Sequence, residues 1–222
     1  MFHVEHRSSR LRQHLKRFSD ELFLPIPESS FDLFERYYHA LREWNRAINL
    51  TAIESEEEVA AKHFVDSVAG MKVIENAGLK CVLDVGSGAG FPALPLKFAL
   101  PQLVVELLEP SEKRSAFLRY VIGLLGLSSV RVCSFKLDEY ANRQPQRKFD
   151  YIVVRALRVD DAGNALSSLL RDGGKVILYR SSKVEADFRL NDLALDSEVE
   201  YELPAGYGHR VLSIFARPGL RR

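Results

Sequence analysis

Five short apolar runs dominate the second half of the chain: 80-KCVLDV-85, 103-LVVELLE-109, 130-VRVCS-134, 149-FDYIVVRA-156 and 175-KVILYR-180. They are apolar on both faces, as expected of fully buried strands, and helical stretches separate them. The clearest helix is 111–125: Ser111 is a cap candidate, Phe117, Val121 and Leu124 share a face, and Gly126 can terminate it. Such strands joined by helices make a parallel sheet covered on both sides. The alternation then stops. A helix is expected near 182–194, followed by 197-SEVEYEL-203 and 210-RVLSIFAR-217, with only six residues, two of them glycine, between these runs. That link is too short for a parallel crossover and specifies an antiparallel hairpin. The fold expected is α/β: a Rossmann-like, mostly parallel seven-stranded sheet ending in a hairpin.

Ahead of the first strand the spacing predicts helices only. Leu33, Phe34, Tyr37, Leu41 and Trp44 recur at helical spacing after Ser29 and Ser30, the N-cap candidates. A second helix opens at Ser55, which forms a capping box with Glu58, and Gly78 sits where it should stop. This divides the chain into a helical extension, 1–78, and a sheet domain, 79–222. Five basic residues, Arg7, Arg10, Arg12, Lys16 and Arg17, stand against Glu5 in the first nineteen, and Arg217, Arg221 and Arg222 lie at the other end; both clusters read as solvated tails before RNA contacts. Net charge is +1, which argues against a protein that coats nucleic acid non-specifically. No apolar run approaches a membrane span, and the first twenty residues do not resemble a signal peptide. The two cysteines, Cys81 and Cys133, lie in strand-like runs and support neither a disulfide framework nor a metal site. A monomer in a reducing, cytoplasmic setting is expected, with no membrane and no metal as partners.

The first strand runs into a glycine loop, 82-VLDVGSGAGFP-92. A triphosphate loop needs GxxxxGK[ST], which this is not. Gly86, Gly88 and Gly90 read GxGxG, and Phe91 falls where a dinucleotide loop has its third glycine, with Pro92 suited to a first helical position. Backbone close to an amino-acid moiety, with an aromatic edge beside it, fits a zwitterionic sulfonium better than a diphosphate. Glu109, nineteen residues beyond Gly90, ends the second strand where a carboxylate would accept from ribose hydroxyls; a surface Glu near a helix start is the alternative. Asp138 and Glu139 follow the third strand on the adenine edge, or are first-turn helix acids. A parallel sheet ending in a hairpin resembles the class I methyltransferases, which use S-adenosylmethionine.

The segments 44-WNRAINLT-51, 63-HFVDS-67, the glycine loop with Phe91-Pro92, 113-KRSAFLR-119 and Arg155-Ala156 together resemble the bacterial glucose-inhibited division protein B family. That family methylates guanine N7 in a conserved hairpin loop of 16S ribosomal RNA. The resemblance implies S-adenosylmethionine as cofactor, with Gly86, Gly88, Gly90 and Phe91 at its methionine part, Glu109 at the ribose and Leu137-Asp138 at the adenine. It implies that Arg155 faces both cofactor and target base as the catalytic residue, that Asn49 meets RNA, and that 16S ribosomal RNA or the small subunit is the partner. Arg158 and Arg180, at the carboxyl ends of adjacent strands beside Arg155, are expected with the basic N-terminus to hold RNA phosphates. His63 and Asp66, one helical turn apart, are expected to link the extension to the core. Three positions depart from the family pattern: Arg180-Ser181 in place of Lys-Gly, Leu157-Arg158 after Arg155-Ala156, and Lys136 in place of an Arg.

The residues themselves restrict the chemistry. The [ND]-P-P-[YF] turn of exocyclic-amine methylation is absent after the fourth strand, which reads VVRAL, and neither cysteine sits on the fourth- or fifth-strand loops to attack a pyrimidine. Guanine N7 needs neither device; in-line positioning suffices. A methyltransferase of another substrate class would require an enclosed pocket, and a fold that only binds RNA would hold the cofactor weakly.

Overall fold

The computed structural model describes residues 9–75, 77–157, 159, 162–185 and 188–218. Strands β1 (Cys81–Val85), β2 (Val104–Leu108), β3 (Val130–Cys133), β4 (Phe149–Arg155), β5 (Leu170–Arg180), β6 (Ala194–Leu203) and β7 (Gly208–Ala216) form one sheet in the order β3-β2-β1-β4-β5-β7-β6. β1 to β5 are parallel, so their carboxyl ends share one edge. β7 inserts antiparallel between β5 and β6, closing the expected hairpin. The strand order reverses beside β1, which is where open α/β sheets build ligand sites.

Both faces of the sheet are covered, which is why its strands are apolar throughout. On one face Val82, Val105, Val153 and Ile177 pack with α2 (Phe31–Ile48), α5 (Ala93–Ala99) and α6 (Glu112–Leu125). On the other, Leu83, Val85, Ile152 and Leu178 pack with α7 (Leu137–Arg143) and α8 (Gly163–Leu169). The helices ahead of β1 belong to the first of these cores. Phe34, Tyr37, Phe64 and Phe98 are fully buried there and meet ring to ring.

Four local expectations are corrected. The described part of the basic N-terminus is not a tail: Arg10–Glu21 is α1, capped by Ser9 and buried through Leu11, Leu15 and Phe18. Apolar spacing of four and three residues overrode the charge. Its cations are spent within the fold, Arg12 on Glu28, Asp32 and Glu35, and Arg17 on Glu57. Arg7, Arg221 and Arg222 lie outside the described residues.

The helix capped by Ser55 runs as α3 (Glu56–Glu58), a π-helical segment (Val59–Val65), α4 (Asp66–Val68) and a 3-10 turn (Ala69–Lys72), and stops well before Gly78. The Val73 and Ile74 amides both turn back to the Gly70 carbonyl while Ile74 is drawn into the core. Pro92 precedes α5 rather than starting it. The described residues of 182–194 form no helix: Leu190 and Leu193 make an isolated antiparallel bridge and are fully buried. Gly163 permits this passage, since a Cβ there would lie 2.7 Å from the Leu190 carbonyl carbon. Burial against α8 thus outweighs local helical preference.

Candidate functional site

The loop after β1 turns through Gly86, Gly88 and Gly90 at φ +72°, +57° and +103°. At Gly90 the constraint is also steric, because a Cβ would fall 2.5 Å from Leu94 Cδ1. Glu109 is 3% exposed and holds two loops at once: its Oε2 accepts from the Gly88 amide at 2.8 Å and its Oε1 from the Ser111 amide at 2.9 Å. The surface-Glu alternative is therefore excluded. From below, Tyr37 of α2 donates to the Ala89 carbonyl, so the helical extension grips the loop directly.

Asp84, the last polar residue of β1, is fully buried. Its Oδ2 accepts from the Ala93 amide at 3.2 Å, while Oδ1 meets no partner among the described residues. Burial, opposed by the Ala93 amide and Arg155, pushes its carboxyl up to about 7. An unpartnered buried carboxylate oxygen beneath a glycine loop is matched by a cationic donor, and the amino group of an amino-acid ligand is one.

Phe91 is the hub. Its ring stacks on His63, with centroids 4.5 Å apart and planes 14° apart, and the Arg155 guanidinium carbon lies 5.8 Å from its centroid. His63 Nε2 is 2.7 Å from Thr51 Oγ1. Thr51 is in turn clamped by Asn45, whose side chain accepts from its amide and donates to its carbonyl, both at 2.8 Å. Burial and the nearby Arg155 charge push His63 down to about 3, so it is a neutral structural ring.

Arg155, ending β4, donates to Ser67 Oγ at 3.3 Å and to the Lys62 carbonyl, and forms an ion pair with Asp66 Oδ2 at 3.0 Å. Asp66, 2% exposed, also accepts from the Tyr201 hydroxyl at 2.8 Å and faces Arg210 Nε at 3.7 Å. The expected hydrogen-bonded link from extension to core holds for Asp66, through Tyr201, whereas His63 bonds Thr51 within the extension and meets the core only by its stack on Phe91. Beside Asp66 and Arg155 opens a cavity of about 780 Å³ that also takes Arg180 and Arg210 into its wall. Arg180 contacts the Ser182 carbonyl at 3.2 Å and the Phe188 ring.

The carboxyl edge therefore brings together Gly86, Gly88, Gly90, Phe91, Glu109 and Arg155, with Leu137 and Asp138 at the first turn of α7 beyond β3 and Arg180 at the end of β5. Leu137 is partly buried and Asp138 exposed. Asn49 stands apart. It is the left-handed C-cap of α2, at φ 48°, and lines a different cavity. Arg158 lies outside the described residues. Asp84 carries a signal in the sequence, an acid inside an apolar strand just ahead of GxGxG. Tyr37, Tyr201, Arg210 and Leu157, whose exposed side chain lies over Gly86, had no such signal.

Comparison with known proteins agrees with this geometry. The family model described as rRNA small subunit methyltransferase G matches residues 30–210. Ribosomal RNA small subunit methyltransferase G of Carboxydothermus hydrogenoformans is 36% identical over 212 residues, covering 91% of this chain and 90% of that protein. The protein of the same name from Streptococcus sanguinis is 38% identical over 194 residues, covering 82% and 81%. In fold the chain resembles ribosomal protein L11 methylase from Lactobacillus delbrueckii subsp. bulgaricus, with a TM-score of 0.54 at 20% identity over 71% of this chain and 80% of that one. The chain belongs to the GidB family, that of rRNA small subunit methyltransferase G.

Proposed function

We propose that the protein transfers a methyl group from S-adenosylmethionine to N7 of a guanine in a hairpin loop of 16S ribosomal RNA, by in-line displacement. The observation that supports this reading most is the adjacency, across Phe91, of two unlike sites: a buried glycine loop and a cavity walled by three arginines. The relatives' names supply the substrate class.

The cofactor contributes an electrophilic methyl on a sulfonium. The residues present fit it: glycine backbone at 86–90 leaves room for the methionine part, Asp84 Oδ1 suits its ammonium, and Glu109 has lone pairs to spare for ribose hydroxyls after its two amide bonds. Leu137 and Asp138 fit the adenine. Guanine N7 carries a lone pair and no proton, so the chain must orient the base rather than deprotonate it. This agrees with a cavity in which Asp66 is already consumed by Arg155 and Tyr201. Thiol chemistry is disfavoured. Burial pushes the Cys133 thiol up, and Cys81 opens β1 on the opposite edge.

Arg155 donates from Nη1 to Ser67 and from Nη2 to the Lys62 carbonyl, with Nη2 also paired to Asp66, which leaves the Nε–H and one Nη1–H for a base edge. Arg180, and in sequence Arg158, are then available for phosphate. The deciding experiment is to map N7-methylguanine in 16S ribosomal RNA from cells with and without the gene, with transfer reconstituted from labelled cofactor. One site should disappear with the gene; an unchanged map overturns the reading. A folded Arg155→Ala variant should lose roughly 100-fold in transfer. Full retention would remove Arg155 from its role.

A further inference from the structure

A second cavity, of about 660 Å³, opens between the carboxyl half of α2 and the segment that follows it. It is large enough for one nucleotide. The left-handed backbone of Asn49 reverses the chain, and the reciprocal Asn45–Thr51 bonds hold the returning segment in place. These side chains are spent on building the walls: Thr51 Oγ1 already serves His63 and the Ile53 amide.

Among the described lining residues, the Asn49 amide and two cations face the space unspent. Arg42 and Arg46, one helical turn apart, are exposed and make no ion pair with a described residue. Arg42 reaches only the Tyr38 hydroxyl, at 3.4 Å, with its guanidinium 5.8 Å from that ring's centre. Glu54 is the sole carboxylate among the described lining residues. The cavity also reaches the reaction centre through two side chains. Thr51 lies in its wall and bonds His63, which stacks on Phe91 beside the glycine loop.

We infer that this cavity is an RNA subsite, which takes a nucleotide flanking the methylated base with its phosphates on Arg42 and Arg46. The inference rests on the proposed rRNA methyltransferase reading and extends it to a cavity separate from the one that Arg180 lines. Guanidinium groups pair with phosphate oxygens in a fork, and each neutralised phosphate releases counterions.

The test compares three full-length proteins on a 16S ribosomal RNA fragment across a salt series: wild type, Arg42→Gln/Arg46→Gln, and Lys80→Gln/Lys148→Gln, which removes equal charge at the opposite edge of the sheet. The first pair should weaken RNA binding roughly tenfold and reduce the slope of log affinity against log salt by about 2, while S-adenosylmethionine affinity stays within twofold. Arg42→Lys/Arg46→Lys should restore most of the slope. A slope equal to that of wild type, or an equal loss in both double variants, overturns the subsite while wild-type methylation still stands. A wild type that neither binds nor methylates the RNA overturns the proposed function and the subsite together.

Discussion

The two sides of Phe91 are built by different means. On the glycine-loop side, backbone does the work: three left-handed glycines, amides paired to Glu109, and a carbonyl held by Tyr37. On the arginine side, side chains do it, and they come from the 66–67 helix turn, the ends of β4 and β5, and the hairpin. A small ligand of fixed shape rewards a rigid backbone cradle, whereas a polyanion rewards charges spread around a rim. Substitutions on the loop side should therefore change folding and cofactor binding together. On the arginine side the two effects should separate according to burial.

Asp66→Ala should be the most damaging change, although Asp66 touches neither proposed ligand. It would strand Arg155 against the buried Tyr201 hydroxyl, and breaking a buried pair from one side costs about 3–5 kcal/mol. Urea unfolding measures this; a loss below about 1 kcal/mol would show that solvent already screens the pair. On the loop side, Gly90→Ala should cost about 3 kcal/mol and lower S-adenosylmethionine affinity by roughly 100-fold, through both its φ of +103° and the clash with Leu94. Gly88→Ala, whose Cβ would meet nothing nearer than 3.9 Å, should cost only about 1–2 kcal/mol. Equal effects would refute the steric distinction between the two glycines.

The pH dependence of stability sharpens the contrast, because two buried groups beside Phe91 act with opposite sign. His63 is held down to about 3 in the native protein, so between that value and roughly 6.5 only the unfolded chain takes up its proton. The stability it gives the neutral ring is present above pH 6.5 and is lost as pH falls. Asp84 is raised to about 7, so between roughly 4 and 7 the native protein keeps a proton that the unfolded chain releases. That advantage is lost as pH rises through 7. Measured against wild type, His63→Asn should therefore gain about 2 kcal/mol in relative stability at pH 5 over pH 8. Asp84→Asn should gain a similar amount at pH 8 over pH 5, while losing cofactor affinity. Parallel pH profiles for the two variants and wild type would show that neither ionisation is coupled to folding.

The same contrast governs what could be read from the sequence. The loop side is local: β1, three glycines, Phe91 and Glu109 fall within 82–109, and their spacing alone predicts the turn and the sheet edge. The closing hairpin follows from linker length, while the strand order appears only in the fold. The arginine side is assembled from far apart. Asp66 meets Tyr201 and Arg210 only because β7 and β6 fold back beyond β5, and no short-range pattern encodes that meeting. α1 was obscured by its own charge, since Leu11, Leu15 and Phe18 are outnumbered by polar residues that turn out to be ion-paired. The helix expected near 182–194 fails for the opposite reason: Leu190 and Leu193 owe their conformation to burial beside Gly163.

Arg180→Gln should have the smallest effect on the fold and is the cleanest test of the rim. Among the described residues its guanidinium meets only the Ser182 carbonyl, at 3.2 Å, and the Phe188 ring, at 5.9 Å, so unfolding free energy should move by less than about 0.5 kcal/mol. Glu109 and the glycine loop are untouched, and S-adenosylmethionine affinity should be unchanged. RNA affinity should fall a few-fold, and its salt slope by about 1, because one phosphate contact is lost. If cofactor affinity fell as well, the two sides of Phe91 would be coupled through more than Arg155, and their separation would have to be withdrawn. If the salt slope did not move, Arg180 would be a surface residue, and the phosphate contacts would fall to Arg210 and the groups around α2.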